Sequence, residues 1–117
     1  MSRSLKEVLA LIREFRDERD WLRFHDPKSL AASISIEAGE LLELFQWMSG
    51  PEASRYAAEN RERVAEEMAD VAIYLLELGE IAGIDLLAAI ETKLAKNALK
   101  YPVDKAKGVS TKYTNLK

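Results

Sequence analysis

The chain has 117 residues, with 20 Asp and Glu against 17 Lys and Arg, one His and no Cys. That length supports one domain around one core; the missing Cys removes disulfides, thiolate zinc sites and Cys nucleophiles, and the single His removes metal sites that need two imidazoles. A net charge of −3 without a basic stripe argues against duplex nucleic acid as a partner. With no 18-residue apolar run and no charged-then-apolar segment after Met1, the expectation is a cytoplasmic protein without a membrane span.

Ser4 and Glu7 are spaced as a capping box, and Leu5, Val8, Leu9, Ile12 and Phe15 follow at helical spacing. This predicts a first helix to about Asp20. The aromatic connector Trp21-Leu22-Arg23-Phe24-His25 leads to Asp26-Pro27, an N-cap and the residue best tolerated at the first helical position. A second helix follows, with Leu30, Ile34, Leu41, Leu44, Phe45 and Met48 on one stripe, expected to stop at Ser49-Gly50-Pro51. Residues 52–59 read as a short helix or an ordered loop. Asn60 is the expected N-cap of a third helix carrying Val64, Met68, Val71, Leu75 and Leu78 until Gly83. Asp85 caps a fourth through Leu86, Ile90, Leu94 and Ala98, ended by Tyr101-Pro102. After Val103 periodicity ends, and Lys105, Lys107, Lys112 and Lys117 against Asp104 read as a basic, extended arm. The fold class is all-α with a four-helix core.

Acidic pairs three residues apart are common on charged helices, so their place relative to the apolar stripe decides their meaning. With Leu41 at zero and about 100° per residue, Glu37 falls at about −40°, inside the stripe, and Glu40 at its edge beside Trp47. On the third helix Glu67 falls inside the apolar sector and Asp70 at its margin, whereas Glu62, Glu66, Glu77 and Glu80 read as solvated. An isolated buried carboxylate costs several kcal/mol unless compensated by ion pairing, a shared proton or a cation. Ion pairing, for example with Lys93 or an Arg of the first helix, serves any one of them. For four converging carboxylates, one or two hard divalent ions become the better reading, Mg²⁺ first and Mn²⁺ second. A di-iron bundle is disfavoured because its Glu-x-x-His pairs are missing. Since Mg²⁺ shares its remaining ligands with waters and phosphates, such a site points to hydrolysis of a phosphorylated substrate.

Glu37-Ala-Gly-Glu40, a gap over 41–66, and Glu67-Met-Ala-Asp70 stand beside Phe15-Arg16-Asp17-Glu18-Arg19-Asp20-Trp21, Phe24-His25, Leu44-Phe45-Gln46-Trp47 and Ile73-Tyr74-Leu75. Further on come Lys93, Asn97, Lys100-Tyr101-Pro102 and Lys112-Tyr113-Thr114. Together they resemble the all-α nucleoside triphosphate pyrophosphohydrolases of the MazG type, in their dCTP pyrophosphatase branch, over nearly the whole chain. The resemblance implies a helical catalytic domain over 1–102 and a C-terminal arm over 103–117. It also implies Glu37, Glu40, Glu67 and Asp70 as Mg²⁺ ligands, and hydrolysis of a nucleoside triphosphate, dCTP favoured, to the monophosphate and pyrophosphate.

By the same resemblance Trp21, His25, Trp47 and Tyr74 surround the base and sugar, and Lys93, Asn97, Lys100 and Tyr101 gather the triphosphate. Trp and Tyr at helical spacing also serve as ordinary core, and a Lys at a helix C-terminus as a solvated charge. Members of the family assemble as homo-oligomers, so a dimer or tetramer is expected. Two other readings remain open at this stage: a hydrolase of a broader or modified dNTP set, and a non-catalytic helical dimerisation module whose acids only form structural ion pairs.

Overall fold

The computed structural model describes residues 2–117, and among them every regular element is helical. Helix α1 spans Leu5–Glu18 and opens with the expected capping box: Ser4 Oγ accepts from Glu7 N at 3.2 Å, and the Glu7 carboxylate accepts from Ser4 N at 3.3 Å. It ends in a Schellman-type stop. Trp21 N donates to Arg16 O at 3.1 Å and Asp20 N to Asp17 O at 3.1 Å, with Asp20 in the left-handed region at φ 55°. A single 3₁₀ turn, Leu22–Phe24, then carries the chain to Asp26, whose carboxylate accepts from Ser29 N at 2.9 Å and caps α2 (Pro27–Glu43).

The stop expected at Ser49-Gly50-Pro51 is displaced in both directions. Helix α2 ends at Glu43, and the next residues tighten into i→i+3 turns, Phe45 N to Leu42 O at 2.9 Å and Met48 N to Phe45 O at 3.0 Å. Gly50-Pro51, instead of ending a helix, opens α3 (Gly50–Glu59). Ser49 is its N-cap and accepts from Glu52 N at 3.3 Å, and Pro51 sits in the first turn, where its missing N–H has no intrahelical partner to lose. An edge-to-face contact of Phe45 with Tyr56, centroids 5.9 Å apart, holds this connection.

Helix α4 spans Arg61–Ala82. Asn60 precedes it as expected but does not cap it with its side chain; its amide donates to Tyr56 O at 3.0 Å and so satisfies the end of α3 instead. Gly83 closes α4 in the left-handed conformation at φ 69°. Within residues 2–83, α2 packs most extensively against α4, and α1 and α3 make smaller contacts with it. Leu30 is 1% exposed and Ile12 is buried, while Ile34, Leu41, Leu44, Phe45, Val71, Leu75 and Leu78 are half-buried. The apolar stripes of α2 and α4 are thus largely where periodicity places them, but Met68 on α4 and Phe15 on α1 are exposed, as are Ile90 and Leu94 of the stripe expected after Asp85.

Residues 84–117 form a second compact unit. Helix α5 (Leu86–Lys100) is capped by Asp85, which accepts from Ala88 N at 3.1 Å. The segment after it is not a simple extended arm. It contains a four-residue helix, α6 (Val103–Ala106), and a 3₁₀ turn at Tyr113–Asn115. Tyr113 returns to the end of α5, edge-to-face with Tyr101 at 5.9 Å and with the Lys100 ammonium 4.7 Å from its ring centroid. Short-range aromatic and cation–π contacts thus order a stretch that has no periodicity to announce them.

Candidate metal and nucleotide site

The pairing of α2 with α4 brings Glu37, Glu67 and Asp70 together, with one carboxylate oxygen of each within 4.8 Å of the others. Glu67 is 5% exposed, Glu37 is half-buried and Asp70 is open to solvent. Glu40 stands outside this trio but lies against Glu37. Burial pushes the Glu37 carboxyl above its ordinary range, and contact with Glu40 and the charges of Glu40, Asp70 and Glu67 push it further the same way. Among the described residues one cation reaches the group: Arg63 Nη1 lies 3.0 Å from Glu67 Oε1. The second oxygens of Glu37 and Glu67 are buried without a hydrogen-bond partner among the described residues.

Such atoms are rare in native proteins because each forfeits its hydration with nothing in return. An all-oxygen, all-anionic donor set with buried free lone pairs fits a hard divalent ion and excludes a soft one. Carboxylates on two packed helices also hold their spacing better than loop residues would.

Trp21, His25 and Tyr74 converge on a cavity of about 220 Å³, closed by Phe24, Ser29, Leu30 and Ser33. A larger cavity of about 650 Å³ shares these three side chains and reaches Asp70, so aromatic walls and a carboxylate of the acidic trio border one space. Trp47 lines neither cavity and is 89% exposed. The phosphate-binding candidates lie in the second unit. Lys93 is exposed on α5 beside Lys96, Asn97 is half-buried one turn on, and Lys100 and Tyr101 meet Tyr113.

A second acidic group on α4 overturns the expectation that Glu77 and Glu80 are solvated. Glu77 is 4% exposed, and Glu80 is half-buried in ion pairs with Arg13 and with Arg16, whose Nη1 lies 3.6 Å from Glu80 Oε2. Arg16 is itself buried and donates from Nε to Asp17 at 2.8 Å. His25 Nδ1 faces Glu77 Oε1 from 3.8 Å. Glu77 lies only about 20° round the helix from Asp70, so its face was readable; that α1 covers this face was not.

A family model described as the MazG-like family matches residues 32–116. The chain belongs to that family. Two relatives named dCTP pyrophosphatase 1, from Rattus norvegicus and Homo sapiens, are 42% and 41% identical over 115 residues, covering 97% of this chain and 68% of theirs. A crystal structure of a pyrophosphatase from Archaeoglobus fulgidus superposes with a TM-score of 0.82 at 48% identity, covering 87% of this chain and 95% of that one. The family resemblance, the helical fold and the reading of this MazG-like chain as a hydrolase are borne out.

Proposed function

We propose that this protein hydrolyses a deoxynucleoside triphosphate, dCTP favoured, to the monophosphate and pyrophosphate with a divalent cation, Mg²⁺ first and Mn²⁺ second. The carrying observation is the trio Glu37, Glu67 and Asp70 with buried, unpartnered oxygens on two of its members. The names of the relatives support the bond cleaved and the base. Glu37, Glu40, Glu67 and Asp70 hold the ion, which when bound offsets phosphate charge and acidifies water. Arg63 holds Glu67 Oε1, which leaves Glu67 Oε2 free for the ion.

Trp21 and Tyr74 line the smaller cavity with aromatic rings of the kind that stack on a base, and His25 lines it beside them. Lys93, Lys100, Asn97 and Tyr101 supply ammonium, amide and phenol donors of the kind that hold phosphate oxygens. The working form is a homo-oligomer, a reading supported by large apolar side chains exposed outside the cavities, such as Ile36 and Leu42 on α2.

A panel of dNTPs and NTPs with Mg²⁺, with pyrophosphate and orthophosphate detected separately, tests the reading. Pyrophosphate release fastest from dCTP is the expected result. Orthophosphate alone would refute the bond assignment, equal turnover of all dNTPs would replace it with a broad hydrolase, and no product would return the chain to a non-catalytic module.

A further inference from the structure

Glu77 is assigned no task by the metal trio or by the aromatic walls, and a side chain 4% exposed needs a reason to carry a carboxylate. It sits two turns beyond Asp70 on α4 and borders the same cavity of about 650 Å³ as Ile12, Trp21, His25, Asp70 and Tyr74. The lining of that cavity is predominantly apolar, so a polar group in its wall is conspicuous to a ligand. His25, whose side chain is 10% exposed, faces Glu77 from 3.8 Å, beyond hydrogen-bond distance. Its Nδ1 is buried with no hydrogen-bond partner among the described residues. The pair therefore approaches without closing on itself, and both residues line the cavity.

We propose that Glu77 is a specificity-determining residue: its carboxylate accepts a hydrogen bond from the exocyclic amino group of a 4-amino pyrimidine whose ring lies between Trp21 and Tyr74. A carboxylate is the natural reader of that group, since it accepts from N4–H of cytosine and repels the O4 of uracil or thymine at the same place. Burial pushes the Glu77 carboxyl above its ordinary range, and the nearby His25 and Arg16 oppose that shift in part. The inference rests on the reading of the chain as a dNTP hydrolase and deepens it, because it gives the preference for the cytosine nucleotide a chemical cause within this chain.

The test is equilibrium binding of dCMP and dUMP to the full-length protein, followed by quenching of tryptophan fluorescence; it requires no turnover. Wild type should favour dCMP by about tenfold or more, the order expected for one charge-assisted hydrogen bond, and Glu77→Gln should bring the ratio close to one. A third nucleotide with an unsubstituted position 4 should bind wild type between the two, which tests the same contact without a variant. Equal binding of dCMP and dUMP by wild type, or an unchanged ratio in a folded Glu77→Gln, overturns the assignment; a loss of affinity equal for both nucleotides shows a structural role and also overturns it. Pyrophosphate release is scored separately, so a protein that discriminates the bases but never cleaves dCTP refutes the hydrolase reading and leaves Glu77 in place.

Discussion

Helix α4 carries two groups of buried acids, and they are solved in opposite ways. Around Glu67 and Asp70, negative charge converges with Glu37 and Glu40, one Arg reaches in, and buried oxygens remain unpartnered. Around Glu80, Arg13 and Arg16 supply positive charge from α1, and the Arg16 guanidinium also acts on Glu77. The difference lies in stoichiometry. Acids matched by protein cations are a finished interaction, and acids that outnumber them retain an affinity for something from solution. An acidic pair on a helix therefore says little until the facing element is known.

The largest break in this contrast comes from removing a charge at the unfinished end. Asp70→Asn or Glu67→Gln should lower pyrophosphate release by more than about a hundredfold, beyond what loss of an outer-shell partner causes, while far-ultraviolet circular dichroism stays at wild type. Activity retained in Asp70→Asn would take that residue out of the ligand set.

At the finished end the damage should be to stability. Arg16→Met leaves Glu80 with one partner fewer and Glu77 without its nearby guanidinium charge, a change expected to destabilise by about 3 kcal/mol in urea unfolding. The response of the melting temperature to Mg²⁺ should be unaffected, and a lost response would show that the two groups are one system.

Magnesium itself should separate them next. At a hundred times its dissociation constant a bound ion adds about 2.7 kcal/mol, so thermal scans should rise by several degrees with Mg²⁺ and fall back with a chelator. Glu37→Gln should melt higher than wild type in the chelator and gain little from the metal. An undiminished gain would place the ion elsewhere.

The smallest effect is a pH dependence at Glu77. Burial raises this carboxyl, with the Glu80 charge acting the same way, and His25 and Arg16 oppose them only in part. A raised native pKa means the folded state holds the proton more tightly than the unfolded chain, so this contribution is favourable at low pH and is lost as pH rises from about the ordinary 4.5 through the raised value. The melting temperatures of wild type and Glu77→Gln should therefore converge at and below that ordinary value and separate above it, with the variant higher. Parallel curves would contradict the shift.

Much of this was legible in the chain. Glu37, Glu67 and Asp70 were picked out by rotation about helix axes alone, because a helix fixes each side chain's bearing once the apolar stripe is known. Ser4, Asp26, Gly83 and Asp85 kept their expected capping places for a similar local reason. The end of α2 was not readable, since the apolar stripe runs on through Leu44, Phe45 and Met48 while the backbone there is already in i→i+3 turns, and Ser49 marks the start of α3. Glu77 and Arg16 escaped because their burial depends on where α1 lies against α4. Trp47, adjacent on the wheel to the inward acids, sits beyond the end of α2, where helical bearing no longer applies.

Asp20 gives the nucleotide cavity an unusual kind of support. Trp21 forms one wall while remaining only half covered, with Phe15 as its aromatic neighbour at 5.7 Å, so little packing restrains it. The backbone turns just before it, through a left-handed torsion at Asp20 that Asp tolerates far better than a β-branched side chain would. One wall of the cavity is thereby tied to a hydrogen-bonded helix stop. A β-branched side chain at position 20 would disturb that wall without altering any side chain that lines the cavity.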